Sequence, residues 1–244
     1  MIFSHLDYHL GDNFVALNYM RRVVAADSSI EFTHAALPQY FQELAPVIAD
    51  TPNVHLIDIR HRRSDSVDVW KNRGGRFYPH PKRNDWVAYH LEFFKDLSAE
   101  LGVVNPMLEP HDFLMDYPAI KTFEFQPVDC IFINGPPLSG QLRGVSPQDL
   151  EMLVNLLRRN YSVVTTEEMK EKGLSLTALA AMSLKCKYII GVATGPMWPM
   201  LNIWNDDKLK LFLLNNERVN ISPNTHHAES LAQAMNVLKR EGVL

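Results

Sequence analysis

The stretch MIFSHLDYHLGDNFVALNYMRRVVAADSSIEFTHAALPQYFQELAPVIADTPNVHLIDI, residues 1–59, decides the fold. Residues 1–6 read as a short buried strand, and Gly11-Asp12-Asn13 breaks the pattern. Phe14, Leu17, Asn18, Arg21 and Val24 then fall at helical spacing, widened by Val15, Ala16, Met20 and Val23, which predicts a helix over 13–26. Residues 30–33 read as a second strand and 39–49 as a second helix, with Pro46 inside it as a kink or early stop. A third strand covers 54–59. Strand and helix alternating over short links is the pattern of a doubly wound parallel sheet.

Beyond residue 59 the character changes. Residues 60–84 carry Arg60, Arg62, Arg63, Lys71, Arg73, Arg76, Lys82 and Arg83 against only Asp65 and Asp68, with Gly74-Gly75, Pro79 and Pro81. This reads as a long basic loop with one short strand near 67–70. A solvated face is the default for such a run. The segment could instead bind an anionic acceptor or a membrane surface. Trp70, Phe77, Tyr78 and Trp86 interleave with the charges, and aromatic platforms beside cations suit sugar rings bearing carboxylate or phosphate groups, and also single-stranded nucleic acid. A heavy apolar stripe predicts a helix over 84–101, and the proline-rich stretch 105–127 is the expected boundary between two lobes, 1–126 and 127–244.

The second lobe alternates in the same way. Strands are expected at 128–134, 161–165, 188–192 and, last, 209–214; helices at 146–157, 175–185 and 228–240. Ser146-Pro147-Gln148-Asp149 is a helix start, with Ser as cap, Pro in the first turn and Asp three residues on.

Bulk properties narrow the function. The chain has 244 residues, 46% of them hydrophobic, and no apolar run reaches the roughly 20 residues of a membrane span. His5, Asp7 and His9 interrupt the N-terminus where a signal peptide would be apolar, so a cytoplasmic protein is expected. A net charge of −4 argues against nucleic acid as a partner. Cys130 and Cys186 lie in or beside apolar runs and read as buried, inert thiols. His5, Asp7 and His9 would share one strand face, but they match no metal motif, and no metal or cofactor is expected.

Three loops are candidates for chemistry. Gly11 permits close backbone approach, and Asp12 stands at the mouth of the first sheet; alternatively, Asp12 or Asn13 simply caps the helix. Ala193-Thr194-Gly195-Pro196-Met197-Trp198 follows a strand at once. Thr194 and Gly195 there offer N–H groups to an anion at an expected helix start, or form an ordinary turn. Ser139, Gly140 and Arg143 precede the helix at Ser146, where the arginine either grips phosphate or is solvated.

Together these segments resemble glycosyltransferase family nine, the lipopolysaccharide heptosyltransferase-like enzymes of the GT-B fold. His9-Leu10-Gly11-Asp12 followed by FVALNYMRRV is similar to that family's opening, and GLSLTALAA (173–181) through YIIGV (188–192) to Thr194-Gly195-Pro196-Met197 is similar to its donor segment. The resemblance implies two Rossmann-like α/β lobes and metal-independent transfer of a sugar from a nucleoside-diphosphate sugar to an acceptor hydroxyl, with inversion. It implies Asp12 as general base. Gly11 and Asn13 beside it, and Arg62, Arg63 and Arg76 of the basic segment, are read toward a glycan or anionic acceptor. It implies Ser139, Gly140, Arg143, Thr194, Gly195, Pro196, Met197 and Trp198 toward the donor. Two positions depart from the family's pattern: its Asp before Thr-Gly is Ala193, and its His after Pro-Met is Trp198. They motivate the alternative of a non-catalytic sugar-, nucleotide- or protein-binding module.

Overall fold

A computed structural model of the protein describes residues 1–6, 9–69, 85–135, 145–213 and 218–244. The chain divides into two compact units, Met1–Ala119 and Ile120–Leu244. Each is built on its own parallel sheet.

In the N-terminal unit the elements run β1 (Ile2–Leu6), α1 (Leu10–Ala26), β2 (Phe32–Ala36), α2 (Phe41–Ile48), β3 (Val54–Asp58), β4 (Val67–Asp68) and α3 (Trp86–Leu101). The strand order is β3-β2-β1-β4, all parallel. The order reverses between β1 and β4, so the carboxyl end of β1 lies at the switch point, where open α/β sheets hold ligands. Helix α1 is buried on nearly every side, from Phe14 through Met20 and again at Val23 and Val24. The sheet takes one flank. The segment 110–117 takes another: Asn18 Nδ2 donates to the Asp112 carbonyl, and Arg21 reaches the Asp116 carbonyl and Asp50. Tyr19 stacks on Phe94 of α3, with ring centroids 4.8 Å apart.

The C-terminal unit runs β5 (Cys130–Ile133), α4 (Pro147–Leu157), β6 (Val163–Thr165), α5 (Thr166–Glu171), α6 (Leu176–Ser183), β7 (Tyr188–Val192), α7 (Met197–Met200), β8 (Leu209–Leu213), β9 (Thr225–Ala228) and α8 (Leu231–Arg240). The strand order is β6-β5-β7-β8-β9, again parallel, with the switch point between β5 and β7. Only glycine fits at one position of this pairing. Gly191, at φ 134°, sits where a Cβ would fall 2.2 Å from the Ile133 carbonyl oxygen.

Several expectations need correction. The first helix begins at Leu10 rather than at residue 13, and its N-cap is His9, so neither Asp12 nor Asn13 is the cap. The second strand lies at Phe32–Ala36, later than 30–33, because its partner β1 pairs Ile2 with Phe32 and Leu6 with Ala36. The strand at Leu209–Leu213 is followed by a further one, β9, and the closing helix starts only at Leu231. Helix α5 and the 3-10 turns at Pro110–Phe113 and Pro118–Thr122 have no periodic signature in sequence. Among the described residues no helix is long and apolar enough to cross a membrane.

Candidate functional site

The first turn of α1 carries the N-terminal candidates. His9 is extended (φ −65°, ψ 151°), and its carbonyl accepts from the Asn13 backbone N–H at 3.3 Å. Gly11 is the second helical residue and is buried; Asp12 is the third and partly buried. A carboxylate in a first turn is favoured by the partial positive charge of the unpaired N–H groups. Asn13 faces the sheet. Its side chain is fully buried, donating through Nδ2 to the His9 carbonyl at 3.1 Å and meeting His34 Nε2 through Oδ1 at 3.2 Å.

The basic candidates lie after β3. Arg62 is exposed and has no ion pair among the described residues. Arg63 makes a two-pronged pair with Asp65, both bonds 2.8 Å, and its guanidinium sits 4.2 Å from the Phe3 ring centroid. The pairing holds the Asp65 carboxyl below its ordinary value. Arg60 is likewise held by Asp58, whose carboxyl its guanidinium draws down to about 2. Arg76 lies outside the described residues, as does Asp7. His5, its neighbour in the alternating His-Asp-His pattern, turns to β4: Nδ1 is 2.9 Å from Ser66 Oγ, and Nε2 is 4.0 Å from Asp68.

In the C-terminal unit the turn after β7 emerges at the switch point beside β5. Met197 N–H donates to the Thr194 carbonyl at 2.9 Å and Trp198 N–H to the Gly195 carbonyl at 3.2 Å. This folds the tight turn that leads into α7, a single turn of four residues capped by Pro196. Thr194, Gly195 and Pro196 are half-buried, whereas Met197 and Trp198 are buried, their exposures only 3% and 6%. The Thr194 hydroxyl oxygen is buried and has no hydrogen-bond partner among the described residues. A buried hydroxyl without a partner costs roughly 1–3 kcal/mol. The atom lies at the carboxyl end of β7, where open α/β sheets hold ligands. Ser139, Gly140 and Arg143 lie outside the described residues.

Sequence reasoning passed over a neighbouring cluster. Asn134, at the end of β5, accepts at Oδ1 from the Thr166 hydroxyl (3.1 Å) and the Glu167 N–H (3.2 Å), and donates through Nδ2 to Glu167 Oε2 (2.9 Å). This ties the ends of β5 and α5 together and leaves Glu167 exposed beside the switch point. The only signal was the run Thr165-Thr166-Glu167-Glu168, whose Thr165 and Glu168 form a capping box. The two thiols are poor nucleophiles: burial raises Cys130 well above its ordinary value and pushes Cys186 up to about 11.

No protein-family model matches the sequence, and no curated protein does. Solved structures do match. The chain is similar to E. coli heptosyltransferase WaaC with ADP at TM-score 0.56 and 12% identity, over 99% of this chain and 97% of that one. It is similar to the E. coli ADP-heptose lipopolysaccharide heptosyltransferase II at TM-score 0.50 and 11% identity, over 99% and 100%. The dodecameric iron-containing heptosyltransferase TibC, in complex with ADP-D-β-D-heptose, aligns at TM-score 0.55 and 12% identity; the match spans 92% of this chain and 61% of TibC. With two parallel α/β sheets, each carrying a strand-to-helix turn at its switch point, the chain therefore has the GT-B-like fold of the heptosyltransferases.

Proposed function

We propose that the protein is a metal-independent, inverting glycosyltransferase that moves a sugar from a nucleoside-diphosphate sugar to an acceptor hydroxyl. The observation that carries this reading is the buried, unpartnered Thr194 hydroxyl at the switch point of the C-terminal sheet. Its support is a fold shared with structures that hold ADP or ADP-heptose. In this reading the Thr194 hydroxyl and the backbone N–H groups of Thr194 and Gly195 receive the donor diphosphate, and Arg143 adds positive charge as the leaving group departs. The acceptor oxygen bonds to the anomeric carbon while the bond from that carbon to the diphosphate oxygen breaks. Asp12 takes the proton from the acceptor, a contribution of roughly 10²–10⁴-fold. Arg62 and the basic segment that follows favour an anionic glycan acceptor, presented in the cytoplasm or at a membrane surface.

The test is a thermal-shift titration with ADP, GDP, UDP, CDP and dTDP, with and without EDTA. A diphosphate at about 100 times its Kd adds about 2.7 kcal/mol of stability, several degrees. A shift with one base, insensitive to EDTA, is expected. With that donor, Asp12→Asn should retain the diphosphate shift and lose transfer; an Asp12→Asn protein with full transfer overturns the assignment. A second reading has its own observation. Trp198 stands where the resembling family has His and is buried, so that position has no imidazole to offer a donor. A non-catalytic binding module follows if no diphosphate shifts the melting temperature.

A further inference from the structure

A chain of three polar side chains crosses the buried interface between the N-terminal sheet and α1. Ser4 on β1, His34 on β2 and Asn13 on α1 are 1%, 0% and 0% exposed. Ser4 Oγ lies 3.0 Å from His34 Nδ1, His34 Nε2 lies 3.2 Å from Asn13 Oδ1, and Asn13 Nδ2 lies 3.1 Å from the His9 carbonyl. The bonds have one consistent direction. The amide NH₂ must be the group on the His9 carbonyl, which leaves Asn13 Oδ1 as an acceptor. His34 therefore carries its proton on Nε2 and accepts at Nδ1 from the Ser4 hydroxyl. Met20 Sδ, 4.0 Å from Ser4 Oγ, is the weaker alternative acceptor. Burial holds the imidazole neutral, lowering its pKa to about 3, with His5 adding to the effect.

Apolar side chains at these three places would bury the same helix without costing desolvation. What they would not supply is a direction. A helix held by an apolar stripe can rotate or slide by fractions of an ångström, whereas a satisfied polar chain admits one arrangement. This chain ends on the carbonyl of the N-cap residue, one turn before Asn13 and three residues before Asp12.

We propose that Ser4, His34 and Asn13 are positioning residues that lock the first turn of α1 to the sheet and so fix the carboxylate of Asp12. The inference rests on the reading of Asp12 as general base, but its first test does not. Amide hydrogen exchange is measured at Asn13 and Phe14 in the wild type, His34→Gln and the doubly apolar His34→Leu/Asn13→Leu. In the double variant those two amides should exchange about tenfold faster or more, while the slowest-exchanging core amides of β1 and β2 keep their rates. His34→Gln, which can still donate to Asn13, should stay near the wild type. Unchanged first-turn exchange in a folded double variant overturns the inference. So does first-turn and core exchange accelerating in parallel, because the chain would then be ordinary structural glue.

The second test follows ADP release from ADP-heptose in the presence of acceptor. Turnover in the double variant should fall about tenfold or more with the ADP-heptose KM within about twofold, and His34→Gln should retain near-wild-type turnover. A rise in KM at unchanged kcat overturns positioning. A wild type that releases no ADP from ADP-heptose counts against the transferase reading with that donor and leaves the exchange measurement to decide the inference alone.

Discussion

A Cβ at Gly191 would lie 2.2 Å from the Ile133 carbonyl oxygen and 2.5 Å from its nitrogen, and both are backbone atoms in the centre of the sheet. Neither can swing aside as a side chain would. The residue also sits at φ 134°, where an L side chain is strained. Gly191→Ala must therefore separate β5 from β7 or abandon the native backbone. Its cost should be about 3 kcal/mol or more, read as a lower denaturant midpoint or loss of soluble protein. Three residues on, Thr194 makes the opposite case. Its hydroxyl oxygen is buried without a partner, so Thr194→Val removes a liability at constant shape. Without ligand the variant should be as stable as the wild type, or more so by about 1 kcal/mol, in chemical denaturation. The nucleoside diphosphate selected by titration should bind it more weakly in calorimetry. Equal affinity would remove Thr194 from the donor site. A resemblance in sequence points to Thr194, but that its oxygen has no partner among the described residues shows only in the fold.

At the scale of elements, legibility followed the strength of local signals. Helix α4 was readable to the residue because its start is chemical: Ser146 Oγ accepts from the Asp149 N–H at 3.1 Å, and the Asp149 carboxylate accepts from the Ser146 N–H at 2.7 Å. Ser146→Ala should cost about 1 kcal/mol, seen as earlier loss of ellipticity in denaturant, and Ser146→Asp should recover most of it. A loss below a few tenths of a kcal/mol would mean that α4 is held by packing alone. Strand β7 was readable because YIIGV is a short, continuous apolar run bounded by Lys187 and Thr194. Strand β9 was not, because Thr-His-His-Ala carries no apolar run. It is specified by what faces it: His227 Nε2 accepts from the Val219 N–H at 3.0 Å, and His226 Nδ1 lies 3.2 Å from Arg240. The start of α1 was misplaced because glycine is read as a breaker. In a first turn it costs little, and Gly11 is buried there. Asn13 was read toward an acceptor for a related reason. Its partner His34 is 21 positions away and becomes visible only once β2 is paired to β1.

On the scale of the whole molecule the two units should answer acid differently. His34 and His90 both belong to the N-terminal unit and are both buried. Burial lowers each to about 3 from an ordinary value of 6.5; for His34 a nearby His5 adds to it, and for His90 a bond to the Trp86 carbonyl opposes it. A histidine lowered by folding takes up its proton more readily in the unfolded chain. Its full stability is therefore present above about pH 6.5 and drains away as pH falls toward 3. The limiting slope is about 1.4 kcal/mol per pH unit for each ring. Burial lowers two lysines of the C-terminal unit, Lys208 and Lys210, the latter to about 8. The unit's other lowered groups are carboxylates. Lys187 and Ser162 draw Asp129 down to about 2, Ser146 lowers Asp149, and bonds from Thr165 and Arg158 outweigh burial to lower Glu168. A carboxylate lowered by folding contributes above its ordinary value near 4 and loses that contribution only below it. Between pH 6.5 and pH 4.5 the N-terminal unit should therefore lose hydrogen-exchange protection, after correction for intrinsic rates, while the C-terminal unit holds its own. His90→Gln and His34→Gln should each flatten that loss. Equal sensitivity of the two units across this range, or a pH response unchanged in both variants, would show that the two rings do not carry it.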